Sequence, residues 1–314
     1  MRLTERQRIA EDVFAVTLMS PTGAPIPAIA PGDHVEVLVP GGTRAYSLCN
    51  PPGVRDRYLL GIQRSSLTGG AQYLCQTCDV GDTVQVRGPN NCFALSPLAQ
   101  RVVLVAGGIG ITPIISMAEH LAAQGIEFEM HYSARSGAAA AFVDRLEGSA
   151  FRHQVRYYFR RDTQGQRLRL DALFEDLDAS THVYLCGPAA MLAEAISLSE
   201  RHSLTDRLHY ERFGASAPAS PSPTVDSSFD VLAARSGQRI HVPADCSIAA
   251  ALTRAGVDVP LSCEQGYCGM CVTRVLHGVP DHRDVALSPA ERAANNVILP
   301  CVSRAKSALL TLDL

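Results

Sequence analysis

The sequence predicts three domains in series: an antiparallel β-barrel, an α/β domain with a parallel sheet, and a small α+β unit. Three observations carry this. Residues 1–98 read as short runs rich in Val, Tyr, Leu and Ile, separated by turn residues. Residues 99–213 alternate strand-like and helix-like runs, the pattern of parallel βα units. The stretch from Gly214 to Ser228 is Ala, Ser and Pro with almost nothing to bury, so it reads as a linker before a last unit at 229–314. A length of 314 residues, 46% of them hydrophobic, accommodates several ordinary cores.

Composition removes several classes. A net charge of −3 argues against a protein whose main task is holding nucleic acid. No apolar run approaches the 18 or so residues a membrane helix needs, and the polar, mixed-charge start MRLTERQRIAEDVF does not read as a secretory signal. A cytoplasmic monomer is therefore expected. Ten cysteines in so long a chain do not suggest a disulfide scaffold, and three of them crowd together, which suggests a metal in a reducing compartment.

The barrel is read from DHVEVLV, RAYSLC, RYLLGIQR and DTVQVRG, bounded by PGD, PGG, NPPG and VGD. In the second domain the buried strand RVVLVA runs into Gly107-Gly108-Ile109-Gly110-Ile111-Thr112-Pro113, and TPIISMAEHLAAQG has helical period with a glycine stop. Glycines let a backbone approach a pyrophosphate, the helix start offers free N–H groups, and a proline fits the first turn. FEMHYSAR and QVRYYF read as further strands and AAFVDRLEG as a helix; THVYLC then leads through Cys186-Gly187-Pro188 into the helix AAMLAEAISLSERH.

In the last unit PLSCEQGYCGMC gives Cys263-x4-Cys268-x2-Cys271, and Cys301 follows in VILPCV. This is the plant-type spacing for a [2Fe–2S] cluster held by four thiolates. Gly266 and Gly269 supply permissive backbone in the loop. A four-cysteine zinc site is the competing reading. Such sites usually pair two C-x2-C knuckles, whereas here a triplet meets a lone fourth ligand. Cys246 reads as a small core residue. Cys75-x2-Cys78 lies in the barrel rather than at a βα turn, so no thioredoxin-like role is assigned. The histidines show no metal-ligand pairing.

The strand–GGIGITP–helix and later CGP combination resembles the ferredoxin–NADP reductase superfamily, and the last unit resembles a plant-type ferredoxin. The order of the three domains resembles the phthalate dioxygenase reductase family over essentially the whole chain. YSLCNPP and RYLLGI look particularly like its vanillate O-demethylase reductases. The resemblance implies FMN in the barrel: Arg44 for phosphate, Tyr46 for the ring or ribityl chain, and Ser47 near the reactive N5 edge. Gly61 and Gln63 belong to the same signature. So does a phosphate-binding turn at Thr68, Gly69, Gly70 and Ala71, where Ala71 replaces the usual serine. Gly108, Gly110, Ile111, Thr112 and Pro113 would face the nucleotide's pyrophosphate. Cys186, with Gly187 and Pro188, would lie beside the nicotinamide, and Phe213 would cover the flavin. Ser133 and Arg135 would meet the adenosine half; a ribose phosphate there would favour NADP, while the resemblance favours NADH. The implied activity passes hydride from NADH to FMN and single electrons through the cluster to a Rieske-type oxygenase or O-demethylase. Ser47 and Cys186 would shape the hydride geometry. A stand-alone flavin, ferric or quinone reductase and a non-enzymatic redox sensor are the alternatives.

Overall fold

The computed structural model describes residues 1–40, 42–64, 70–162, 167–178, 180–213, 227–261, 266, 269–284, 286–287 and 289–314. Met1–Phe213 form one compact unit and Gly214–Leu314 a second. The expected linker, apart from its last two residues, lies outside the described residues.

The first unit begins with β1 (Arg2–Ala10) and β2 (Val13–Met19), an antiparallel hairpin that turns at Asp12 with φ 54°. The chain continues through β3 (Asp33–Val39), β4 (Gly42–Ser47), β5 (Arg57–Gln63), the single turn α1 (Gly70–Gln72) and β6 (Val86–Asn91). Two antiparallel three-stranded sheets, in the orders β1-β2-β5 and β4-β3-β6, are joined by bridges Leu48↔Leu60 and Arg2↔Thr83. Alternate residues point inward: Val16 and Leu18 on β2, Val35 and Val37 on β3, Leu60 and Ile62 on β5. The expected strand DTVQVRG begins four residues late. The amide of Leu3 binds the Asp82 carbonyl and that of Val84 binds the Met1 carbonyl, so its first half pairs with the start of the chain instead of with β3.

The α/β half holds β7 (Arg101–Gly107), α2 (Ile111–Gln124), β8 (Glu127–Ala134), α3 (Val143–Glu147) and β9 (Val155–Phe159). It is completed by α4 (Leu170–Glu175), β10 (Thr181–Gly187), α5 (Ala189–Arg201) and β11 (Leu208–Arg212). The sheet is parallel throughout, with order β11-β10-β7-β8-β9. Its strand order reverses between β7 and β10, so their carboxyl ends flank a topological switch point, where ligands bind in open sheets. α2 stops at Gly125, whose φ of 67° is open to glycine at little cost. α3 is shorter than AAFVDRLEG suggests because Phe142, at φ 60°, takes a left-handed backbone ahead of it. One face of the sheet buries Leu104, Met130 and Tyr132 with α2; the other buries Val103, Val105 and Leu185 with Phe174 of α4 and Leu192 of α5.

The second unit contains β12 (Phe229–Ala233), β13 (Gln238–Val242), α6 (Ile248–Arg254), β14 (Thr273–His277) and β15 (Pro280–Asp281). α7 (Pro289–Ala294), β16 (Val297–Ile298), β17 (Arg304–Ala305) and β18 (Leu309–Leu312) follow. The main sheet runs β13-β12-β18-β14-β16, and β15 pairs with β17. Ser247 caps α6, its Oγ accepting the Ala250 N–H at 3.1 Å. Cys246 is buried in the core, as its sequence context suggests. In VILPCV the strand covers Val297–Ile298, and Cys301 sits in the turn beyond. Among the described residues no helix is long and apolar enough to cross a membrane.

Candidate functional site

The barrel and the parallel sheet meet at the switch point. Ser47, the last residue of β4, donates its hydroxyl to Oε2 of Glu211 on β11 at 3.2 Å. Parallel pairing of β10 with β11 sets Glu211 opposite Cys186, so a hydroxyl, a carboxyl and a thiol from three strands converge. Ser47 and Cys186 are buried. Glu211 lies deep in the protein mass yet is half-buried as a residue, so it lines a recess that water reaches. Burial lifts its carboxyl from an ordinary 4.5 to about 8, against the opposing hydrogen bond from Ser47. Burial, and then the neighbouring Glu211, push the Cys186 thiol well above its ordinary value. Near neutral pH the recess therefore holds a protonated carboxyl beside a thiol, with no fixed charge on either. Glu211 carries no local sequence signal of this role; only Phe213, two residues on, is expected at the site from sequence.

The glycine loop closes on this recess. A Cβ on Gly110 would stand 2.1 Å from the Cys186 carbonyl oxygen, so the loop needs glycine to lie against the end of β10. Gly108 has φ 56° and nothing within 4 Å of where its Cβ would be, so its backbone faces open space. A phosphate could approach here unhindered, next to the start of α2. Ile111, Thr112 and Pro113 turn their side chains into the core, leaving backbone for any ligand. Gly187 and Pro188 pack on Gly107, with 2.6 Å between a Gly107 Cβ and Pro188 Cδ. Gly61 is a packing position: its Cβ would stand 2.5 Å from Thr112 Cγ2, where β5 abuts α2. Phe213 is half-buried at the edge of the core shared with α2.

Two further groups lie away from the recess. Arg44 is exposed, and Gly70, at the head of α1, has room for no Cβ because Val39 Cγ2 and Arg44 Cγ would be 2.6 and 2.7 Å away. The stem of Arg44 thus lies against a short turn, while its guanidinium donates to the Thr43 carbonyl at 2.8 Å; guanidinium and turn amides together are a donor set that fits a phosphate. Tyr46 is half-buried in the barrel core, Ala71 packs on that core, and Gln63 is exposed. Thr68 and Gly69 lie outside the described residues. At the carboxyl end of β8, Ser133 is half-buried and Arg135 exposed, the Arg135 carbonyl accepting the Arg161 N–H at 3.0 Å.

In the second unit Cys271 and Cys301 are buried, and their sulfurs lie 3.3 Å apart without a disulfide. Two thiols from segments thirty positions apart, turned toward one point, fit a shared inorganic core. Cys263 and Cys268 lie outside the described residues. Gly266, between them in sequence, has φ 76°, and its missing Cβ leaves room for Val302.

A barrel joined to a doubly wound sheet with a glycine loop at its switch point, followed by a unit with paired buried thiols, defines a nucleotide-dependent reductase with a tethered iron–sulfur domain. Residues 231–306 match the 2Fe-2S iron-sulfur cluster binding domain, and residues 104–196 the oxidoreductase NAD-binding domain. The chain is 42% identical, over 98% of its length and 96% of the relative's, to vanillate O-demethylase oxidoreductase of Pseudomonas sp. (strain HR199 / DSM 7063). A solved phthalate dioxygenase reductase, described as modular for electron transfer from pyridine nucleotides to [2Fe-2S], is 37% identical with TM-score 0.72, covering 100% of this chain and 97% of that one. An intact type IV self-sufficient cytochrome P450 monooxygenase matches at 38% identity and TM-score 0.86; this chain spans 40% of its length. The chain belongs to the phthalate dioxygenase reductase family, oxidoreductases that carry electrons from a nicotinamide nucleotide through flavin to a [2Fe–2S] centre.

Proposed function

We propose that this chain is the NADH-dependent reductase of a Rieske-type oxygenase or O-demethylase, with FMN as its flavin, acting in the cytoplasm as a monomer. The observation that carries the reading is the Ser47–Glu211–Cys186 convergence, which ties the barrel to the sheet where two ligands could meet. A flavin accepts hydride and releases electrons one at a time, and the cluster carries them singly. The residues bind, orient and tune. Arg44 and the amides at Gly70 would hold the flavin phosphate, with Tyr46 beside the ring or ribityl chain. The loop from Gly108 to Pro113 would take the pyrophosphate through its backbone, and Ser133 with Arg135 the adenosine half. Ser47 would hold its hydroxyl at the hydride path, and Cys186 would present a neutral thiol against the nicotinamide. Glu211, keeping its proton near neutral pH, would leave that path without a negative charge to oppose the hydride. Phe213 would cover the ring. Cys263, Cys268, Cys271 and Cys301 would hold the cluster. On this reading residues 1–98 would take the flavin, 99–213 the nucleotide and 229–314 the cluster, with 214–228 as a linker.

The test is an absorbance spectrum of the purified protein with cofactor extraction and metal analysis. Flavin bands, a broad iron–sulfur shoulder, about two irons per chain and released FMN are expected. Colourless protein containing zinc would overturn the reading. NADH-dependent turnover of a purified Rieske oxygenase tests the partner, and cytochrome c reduction without such turnover would favour a stand-alone reductase.

A further inference from the structure

Asp284 has a fully enclosed carboxylate, its side chain 0% exposed. One oxygen accepts the Ser303 hydroxyl at 3.2 Å and the other the Leu287 N–H at 3.0 Å. Ser303 stands two residues beyond Cys301 and is itself fixed by the Arg283 N–H at 3.1 Å. On its other side the segment touches the cysteine loop. A Cβ on Gly266 would come within 3.1 Å of Asp284 Cα, and the Gly266 carbonyl accepts the Ala286 N–H at 3.2 Å. Asp284 and Ala286 therefore link Gly266, which falls in sequence between Cys263 and Cys268, to the turn of Cys301. Two side chains that can be cationic face the carboxylate. Arg292 lies 3.7 Å from Oδ2 and donates to the Asp284 carbonyl at 2.8 Å, and His282 Nδ1 lies 3.7 Å from Oδ1.

We infer that Asp284 is a positioning residue of the cluster centre: it clamps the ligand loop to the Cys301 turn and, balanced by Arg292, sets the centre's reduction potential. The inference rests on the [2Fe–2S] reading. Charge buried behind such a centre acts in a medium that screens it poorly, and net charge and hydrogen bonding are what set iron–sulfur potentials. Removing the carboxylate leaves Arg292 uncompensated, which favours the added electron. Removing Arg292 leaves the carboxylate uncompensated, which opposes it. A residue that merely held the fold would not give shifts of opposite sign.

The experiment is a redox titration of the full-length holoprotein, with the cluster followed by electron paramagnetic resonance, for wild type, Asp284→Asn and Arg292→Gln. Asparagine keeps the shape and an acceptor oxygen. Asp284→Asn is expected to shift the reduced-to-oxidised ratio at least tenfold toward reduced, 59 mV upward for one electron. Arg292→Gln is expected to shift it the other way, by less, because that guanidinium is 38% exposed. If Asp284→Asn fails to retain its cluster, Arg292→Gln decides alone: a downward shift supports the inference, and an unchanged or upward one overturns it. Shifts below about threefold in both variants, or of one sign, also overturn it. Wild-type protein without iron would sink the underlying reading instead.

Discussion

Replacing Glu211 with glutamine should make the first unit less sensitive to alkali. In the folded protein this carboxyl holds its proton up to about pH 8, whereas unfolded it would lose it near 4.5. Between those values the folded state binds the extra proton, so stability falls as pH rises. The contribution is fully present below pH 4.5 and is lost as pH rises through 8. At about 1.4 kcal/mol per unit, a fully dry site would give about 5 kcal/mol. The interval from pH 5 to pH 9 spans most of that titration, so about 4 kcal/mol is the working figure. Glutamine keeps the shape and cannot ionise. Urea unfolding followed by far-ultraviolet circular dichroism at pH 5, 7 and 9 measures the difference between variant and wild type, in which shared titrations cancel. That difference should move by about 4 kcal/mol in favour of Glu211→Gln between pH 5 and 9. A difference constant to within about 0.5 kcal/mol would refute the buried, proton-holding carboxyl.

Ser47→Ala and Cys186→Ala should each slow NADH-driven flavin reduction about ten- to a hundredfold in stopped-flow absorbance, with flavin content retained; unchanged rates would remove both from the hydride path. Gly110→Ala should cost about 3 kcal/mol or more, read as a lowered thermal midpoint, because its Cβ meets backbone on β10. Gly108→Ala meets nothing and should cost about 1–2 kcal/mol through its left-handed backbone, so equal losses would contradict the packing described. Burial, and then His182, hold His209 down at about 4, so stability should fall as pH drops from 6.5 toward 4. His209→Gln should flatten that acid limb in urea unfolding. Cys301→Ser should remove the iron–sulfur absorbance while NADH still bleaches the flavin, and loss of both would contradict separate stations in separate units.

What the sequence displayed, and what it hid, divides by the range of the interactions. GGIGITP was legible because its demands are local. Gly108 takes a backbone that other residues resist, and a strand running into glycines and then a helical period announces a turn without knowledge of partners. The barrel strands were legible for the same reason, since Val35 and Val37 on β3 alternate with residues on the opposite face. The displaced start of β6 was not, because its first half answers to Met1 and Leu3, about eighty residues away.

Glu211 shows why a reactive constellation is harder to read than a binding loop. LHYER alternates Leu208 and Tyr210, packed toward α5, with His209 and Glu211 on the other side, so by itself it looks like an edge strand with one wet face. It is an edge strand. The pairing with β10 that sets Glu211 opposite Cys186, and the end of β4 that brings Ser47 within hydrogen-bond reach, are long-range matters that period and propensity do not encode. Asp284 was hidden in the same way, inside a run of charged residues, DHRD, that reads as solvated loop. In both places a carboxyl group is covered because distant segments close over it. A carboxyl in a polar-looking stretch whose neighbours in space include a cysteine or a ligand turn is therefore the feature to seek in related chains, and the register of the covering strand is the information needed to find it.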